Sequence, residues 1–99
     1  MTSFIVPDWP AHPGVRALAT TRRGGVSGEP WQGFNLGDHV GDDRAAVAAN
    51  RALLRRELPS EPLWLAQVHG TQCVDAALES PGTQADASFT RQRGVVCAV

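Results

Sequence analysis

The eight residues Trp64–Thr71, WLAQVHGT, are the starting point for predicting the fold of this sequence. The apolar run that begins after Pro62 stops at His69-Gly70, where glycine permits a turn. This pattern predicts a buried strand that carries the imidazole of His69 to its exit. Residues at the ends of strands are held rigidly and still meet solvent, which is where catalytic and ligand-binding groups are commonly placed. An ordinary hydrogen-bonded histidine is the alternative interpretation.

Two short strands and a long glycine-rich loop are predicted before this segment. Ser3–Val6 and Val15–Thr20 are apolar or alternating stretches separated by proline and glycine, which is typical of strands. The following stretch, Thr21–Gly37, contains five glycines and a proline and predicts a structured loop. Within it, Arg22 and Arg23 lie beside Gly24-Gly25 and could present guanidinium and backbone N–H groups to an anion. A plain solvated turn is the alternative.

One helix is predicted over residues 44–58, from Arg44 to Leu58. Acidic residues precede it, Pro59 ends it, and its apolar residues recur at helical spacing, which predicts a helix packed on a sheet. Asn50 and Arg51, near its middle, are expected on the solvated face.

Further strands are predicted after the central segment. Gln72–Leu78 is expected to be its hairpin partner across Gly70-Thr71, and an extended piece is expected to begin at Asp86. Gly94–Val99, GVVCAV, predicts a strand buried on both faces. With no element after it, this edge is expected to be incomplete, either because the chain is a fragment or because the strand self-associates. The predicted fold class is α+β, a mixed β-sheet with one helix.

Composition excludes several functions. A formal charge of −1 gives no field for a polyanion, so no nucleic acid partner is expected. All nine cations are arginine, which excludes Schiff-base lysine chemistry within this sequence. Cys73 and Cys97 lack the spacing of a disulfide framework or a zinc ribbon and are predicted to be small buried hydrophobes. No targeting or membrane-spanning pattern is present, so a cytoplasmic protein with no membrane partner is expected.

Several motifs together resemble the laccase-domain family, whose members are classed as multicopper polyphenol oxidases and as purine nucleoside phosphorylases, including peptidoglycan editing factors. The resemblance extends over nearly the whole chain and implies that residues 1–99 are the N-terminal portion of a single laccase domain. The matching motifs are Thr20-Thr21-Arg22, Gly24-Gly25-Val26-Ser27, Phe34-Asn35-Leu36-Gly37, Gly41-Asp42, Asn50-Arg51, WLAQVHGT, Ala85-Asp86-Ala87 and GVVCAV.

The resemblance implies a zinc-dependent enzyme that acts on purine nucleosides and phosphate. Its expected activities are purine nucleoside phosphorolysis, adenosine deamination and methylthioadenosine phosphorolysis. His69 corresponds to the first zinc ligand and is the expected catalytic residue, whereas the family's cysteine and second histidine ligands would lie beyond Val99. Arg22 is a candidate contact for phosphate or ribose, and Asn35 and Gln67 are further substrate-binding candidates.

Two alternatives stay open. The family's other name implies a copper-dependent polyphenol oxidase, a laccase, although copper oxidases need many histidines and this sequence contains three. Alternatively, the 99 residues are an inactive fragment or a binding module, because catalytic zinc takes three protein ligands and His69 is one.

Overall fold

The computed structural model describes residues 2–99 and confirms the α+β class. Its strands are shorter than predicted and fall into two small sheets, one antiparallel (β1-β2) and one parallel (β3-β4). The chain divides into two units, Met1–Leu53 and Leu54–Val99. The elements in chain order are β1 Phe4–Ile5, β2 Ala19–Thr20, α1 Arg44–Arg55, β3 Cys73–Asp75 and β4 Ala87–Phe89.

The first unit joins its sheet to the glycine-rich loop. Phe4 of β1 pairs with Thr20 of β2. The Phe4 and Phe34 rings pack in a T-shaped arrangement at a centroid distance of 6.2 Å. The adjoining Thr21 hydroxyl donates to the carbonyl of Ser3 at 2.8 Å. Because Phe34 is buried, the loop is folded onto β1 and is not an open turn.

Helix α1 begins as predicted and ends earlier than predicted. The Asp43 carboxylate accepts a hydrogen bond from the Ala45 N–H at 3.3 Å, as expected of an N-cap. The predicted end at Leu58 is wrong, because α1 ends at Arg55. The N–H of Leu58 donates to the carbonyl three residues earlier, at Arg55, which makes a tighter turn ahead of Pro59.

The solvated face predicted for Asn50 and Arg51 is also wrong. Asn50 is fully buried, three residues after the buried Val47, on the same face of α1. Arg51 is partly buried and donates from Nε to the Leu36 carbonyl at 2.8 Å. Both polar side chains hold the glycine-rich loop against the helix.

The second unit has a small apolar core and no continuous central strand. Leu63 forms an isolated parallel bridge with Cys97, and Ala66 forms another with Gln84. The strand predicted for this segment is therefore wrong, because each of its partners pairs with it at a single position. The core consists of Leu63, Val74, Ala76 and Ala85, with Leu65 and Val95 packed against it.

The predicted hairpin is wrong as well. β3 pairs in parallel with β4, from Cys73 opposite Ala87 to Asp75 opposite Phe89. A parallel pair needs a connection longer than a tight turn, and residues 76–86 supply it.

The remaining corrections concern the last strand and the thiols. Gly94–Val99 forms a single bridge, at Cys97, and Val99 is exposed. Cys73 and Cys97 are exposed free thiols, so their predicted burial is wrong. For Cys73 the reason is the strand's alternation, which turns Val74 toward the core and its neighbours away. Across residues 2–99, no helix has the length and apolar character to cross a membrane.

Candidate functional site

His69 lies in an exposed loop between the Ala66 bridge and β3. Its backbone adopts a left-handed conformation with φ of 58°, and it is the one non-glycine residue with positive φ among residues 2–99. Left-handed backbone is disfavoured for residues with a Cβ and is found where surrounding contacts impose it, often at functional sites. The imidazole is exposed, and neither ring nitrogen has a hydrogen bond to another described residue.

The contacts that impose this conformation come from Asp86. The N–H groups of Val68 and His69 donate to Asp86 Oδ1 at 3.0 and 2.6 Å, and the N–H of Gly70 donates to Oδ2 at 2.7 Å. Three consecutive N–H groups thus converge on one carboxylate, a backbone arrangement that binds anions. Here the anion is the protein's own side chain.

Backbone pairing on both sides holds Asp86 in this position. Ala85, which is fully buried, donates its N–H to the Ala66 carbonyl at 3.2 Å. The N–H of Asp86 donates to the Gln72 carbonyl at 3.1 Å. The segment that contains Asp86 is therefore hydrogen-bonded to the main chain both before and after His69, and its carboxylate binds the loop between these two points.

The Asp86 carboxyl stays ionised in this setting. Desolvation raises its pKa, but the N–H donors of Gly70, Val68 and His69, helped by the nearby imidazole, lower the pKa by more. The pKa therefore lies below its ordinary value. Asp86 is a charged acceptor at neutral pH, as its three hydrogen bonds require.

The other predicted site residues are divided between the two units. Gln67 lies in the His69 loop and is exposed. Arg22 and Asn35 line an open cavity of about 440 Å³ in the first unit, together with Trp31. The Arg22 side chain is exposed at the rim of this cavity, where a guanidinium can meet an anion.

Asn35 has less freedom to bind a substrate, because its amide is already hydrogen-bonded. Its Nδ2 donates to the Gly37 carbonyl at 3.1 Å and to Asp42 Oδ2 at 3.0 Å, and its Oδ1 accepts from the Gly37 N–H at 3.1 Å. Asn35 therefore shapes the wall of the cavity.

A buried polar network fixes the loop that carries Arg22. Asn50 Oδ1 accepts from the Val26 N–H at 2.8 Å, and Asn50 Nδ2 donates to Ser27 Oγ at 2.9 Å, to the Gly33 carbonyl at 3.2 Å and to the Asn35 carbonyl at 2.8 Å. The Arg22 carbonyl in turn accepts the N–H groups of Gly33 and Phe34, both at 3.1 Å. The two arms of the loop are thereby joined to each other and to α1.

Asp42 extends this network toward the surface. The Ser27 hydroxyl donates to Asp42 Oδ2, as does the Asn35 amide. The bond from Ser27, which has the larger effect, and the bond from Asn35 both lower the pKa of Asp42. Desolvation raises this pKa, and the hydrogen bond from the Asp43 N–H lowers it further. The net effect is a pKa below the ordinary value.

Sequence reasoning placed Asp86 and Asn50 in the family motifs but did not predict the contacts that either residue makes. For Asn50 a signal was available, because a polar residue three positions after Val47 falls within the apolar stripe of the helix. For Asp86 there was none beyond its place in the Ala85-Asp86-Ala87 motif, since its partners lie 16 to 18 residues away.

The residues present fit one ligand position of a zinc centre. The exposed imidazole of His69, on a fixed backbone, has a ring nitrogen that could bind a metal, whereas the partner that usually holds the second nitrogen of a ligand histidine is not found among residues 2–99. Within residues 2–99, no group of three or more His, Cys, Asp or Glu side chains is placed to hold a metal ion.

Comparison with known proteins gives consistent results. Residues 16–99 match the family model described as multi-copper polyphenol oxidoreductase laccase. The chain is 48% identical over 99 residues to a purine nucleoside phosphorylase of Pseudomonas aeruginosa, covering all of this chain and 40% of the relative. It is 45% identical over 102 residues to purine nucleoside phosphorylase YfiH of Escherichia coli, covering 100% of this chain and 42% of the relative.

A solved structure agrees with these matches. The crystal structure of Neisseria meningitidis protein NMB0706 matches with a TM-score of 0.89 and 45% identity, over 97% of this chain and 40% of that one. The chain thus spans about 40% of the length of the relatives that it matches. On the extent of the family-model match and of these identities, the chain belongs to the multi-copper polyphenol oxidoreductase laccase family.

Proposed function

We propose that the protein carrying this chain is a purine nucleoside phosphorylase. The observation that supports this most strongly is the 48% identity, along the entire chain, to a Pseudomonas aeruginosa protein of that name. In the reaction, a phosphate oxygen attacks C1′ of the ribose and the bond from C1′ to the purine breaks. The bonding electrons pass to the purine, which takes up a proton, and the products are ribose 1-phosphate and the free base.

Arg22 is proposed to bind the phosphate or the ribose. Its guanidinium is exposed at the cavity rim, and its backbone is held by Gly33 and Phe34. Phosphate binds guanidinium through two parallel charge-assisted hydrogen bonds, which also orient the nucleophile. Asn35 shapes the cavity wall, and Gln67, exposed in the loop of His69, is a further candidate for substrate contact.

His69 is proposed as a zinc ligand and as the residue most important for catalysis. When bound, zinc would polarise a substrate oxygen or lower the pKa of water to about 7, which would also suit adenosine deamination. A catalytic zinc takes three protein ligands, so this proposal needs at least one ligand from outside residues 2–99. Adenosine deaminase and methylthioadenosine phosphorylase activities belong to the same proposal, as does a cytoplasmic location, which the free thiols favour.

The test is phosphate-dependent cleavage of inosine by the protein at its natural length. We expect hypoxanthine and ribose 1-phosphate to form in equal amounts and only when phosphate is present. His69→Ala should lower kcat by about 100-fold or more, within the range of catalytic groups. Its matched control is His12→Ala, which removes another exposed histidine and should leave kcat unchanged.

Arg22→Ala should raise the KM for phosphate by about 10- to 100-fold, because a hydrogen bond to a charged group contributes about 1.5–3 kcal/mol. Arg23→Ala removes the neighbouring exposed guanidinium and serves as the control. Equal effects of the two substitutions would exclude a specific role for Arg22.

The description of the family model supports a second candidate, a copper-dependent polyphenol oxidase. Stoichiometric copper in the purified protein, with turnover of phenols and none of inosine, would favour it. A third candidate is a non-catalytic binding module, for which nucleosides would bind without being cleaved.

A further inference from the structure

The loop that presents His69 has a conformation that its own sequence does not favour. Histidine tolerates φ of 58° better than β-branched residues do, but the left-handed region is still costly for any residue with a Cβ. Such a conformation would ordinarily occur at a glycine, and Gly70 is adjacent, yet it is His69 that adopts it. Something outside the loop must therefore hold His69 in this state.

Asp86 is the group that does so. Its two carboxylate oxygens accept all three successive N–H groups of Val68, His69 and Gly70, at 2.6–3.0 Å. These bonds can form together only when the three N–H groups point to one side of the loop, which fixes the backbone at His69 and with it the direction of its Cα–Cβ bond. The carboxylate itself makes no hydrogen bond to the imidazole, so both ring nitrogens stay available.

We propose that Asp86 is a positioning residue for His69, acting through the backbone. This inference rests on the proposed role of His69 as a zinc ligand. Ligand histidines are usually oriented by a partner on the second ring nitrogen, and loss of such a partner costs about 10- to 100-fold in metal affinity. In this proposal the orientation is supplied by three main-chain bonds, without a contact of Asp86 to the substrate or the metal.

Residues around the carboxylate fit this role. A Cβ added to Gly70 would lie in van der Waals contact with Asp86 Oδ2, at 3.4 Å, so the carboxylate lies directly against the main chain of the loop. Ala85 and Ala87 on either side of Asp86 are held by main-chain bonds to Ala66 and Gln72. The carboxylate is therefore fixed on a scaffold and can impose its geometry on the loop.

The experiment measures zinc affinity of the protein at its natural length, by competition with a chromophoric chelator, for Asp86→Ala, Asp86→Asn and His69→Ala. We expect Asp86→Ala to weaken zinc binding by about 10- to 100-fold while His69→Ala weakens it further. Asp86→Asn should fall between Asp86→Ala and the unsubstituted protein, because one amide oxygen can still accept the Val68 and His69 N–H groups.

Asp75→Ala is the matched control. Asp75 also accepts a backbone N–H, that of Ala77 at 3.0 Å, at a turn that does not include His69. We expect this variant to lose stability without losing zinc affinity. As a second readout, amide hydrogen exchange at residues 68–70 should accelerate in Asp86→Ala and stay unchanged in Asp75→Ala.

The outcomes separate the two proposals. If His69→Ala weakens zinc binding and Asp86→Ala does not, the positioning role is overturned and the proposed function stands. If neither weakens it, the zinc role of His69 and the positioning role fail together. If Asp86→Ala and Asp75→Ala weaken it equally, Asp86 acts only on general stability and the inference is overturned.

Discussion

Replacing Asn50 with alanine should destabilise the protein by about 3 kcal/mol. The substitution removes four hydrogen bonds that connect α1 to the glycine-rich loop. The Asn50 NH2 group has two hydrogens for its three acceptors, so one of these contacts is shared and the four contacts count as about three hydrogen bonds. At about 0.5–1.5 kcal/mol net each, they give roughly 1.5–4.5 kcal/mol in total. A middle value applies, because two acceptors keep a partner: the Gly33 carbonyl retains the Ser27 N–H, and the Ser27 hydroxyl retains Asp42.

The loss should therefore be concentrated on two main-chain groups, the Val26 N–H and the Asn35 carbonyl. A domain of this size is stable by about 5–15 kcal/mol, so 3 kcal/mol is a large fraction and readily measured. The assay is equilibrium unfolding in urea, read as a shift in midpoint at constant slope. Ala48→Asn, at an exposed position of the same helix, measures the difference in helix propensity between alanine and asparagine, which is about 0.7 kcal/mol at most. This difference can then be removed from the result for Asn50→Ala.

Asn50→Asp tests the direction of the hydrogen bonds. Aspartate could still accept from Val26, but its carboxylate would face the carbonyls of Gly33 and Asn35, which are acceptors too. Its folded-state pKa should therefore lie above its unfolded value near 3.9. The variant should then be least destabilised below that value and progressively more as pH rises. A corrected loss below about 1 kcal/mol for Asn50→Ala, or no pH dependence for Asn50→Asp, would refute this reasoning.

Two further predictions concern the stability of variants at glycines with positive φ and at Asp42. Gly25→Ala should destabilise the protein by more than Gly82→Ala: both glycines have positive φ, at 74° and 89°, but a Cβ at Gly25 would lie 2.5 Å from a carbonyl oxygen and one at Gly82 meets nothing within 4 Å. Gly82→Ala should cost only the strain of a left-handed backbone on a residue with a Cβ, about 1–2 kcal/mol. Equal losses of stability for the two variants in urea unfolding would contradict the close approach at Gly25. Asp42, whose pKa is lowered chiefly by the Ser27 hydroxyl, should contribute stability that is present above its unfolded pKa near 3.9 and lost as pH falls through the lower folded value. Asp42→Asn should therefore lessen the destabilisation that occurs below about pH 4, measured as urea midpoints against pH. An unchanged loss of stability in acid would count against this prediction.

Features set by local sequence were predicted well. The helix start at Asp43-Arg44 follows from an N-cap that acts within one turn, and the exposure of His69 follows from the glycine that ends the apolar run. The motif resemblance identified the family, which the family-model match over residues 16–99 confirms.

Features set by distant partners were not predicted. The parallel pairing of β3 with β4 depends on segments 14 residues apart, and no local pattern distinguishes it from a hairpin. Asn50 was assigned to the surface because polar residues usually lie there, whereas four loop partners make its burial favourable. The Asp86 contacts were missed for the same reason, since a carboxylate that binds backbone N–H groups has no periodic signature.

The most direct test of the central claim is the amount of ribose 1-phosphate formed from inosine and phosphate by the natural-length protein and by its His69→Ala variant, measured side by side. We predict formation by the former and a loss of about 100-fold or more in the latter. Equal formation by both, or hypoxanthine release from inosine without ribose 1-phosphate, would contradict the claim that the His69 loop serves a phosphorolytic site.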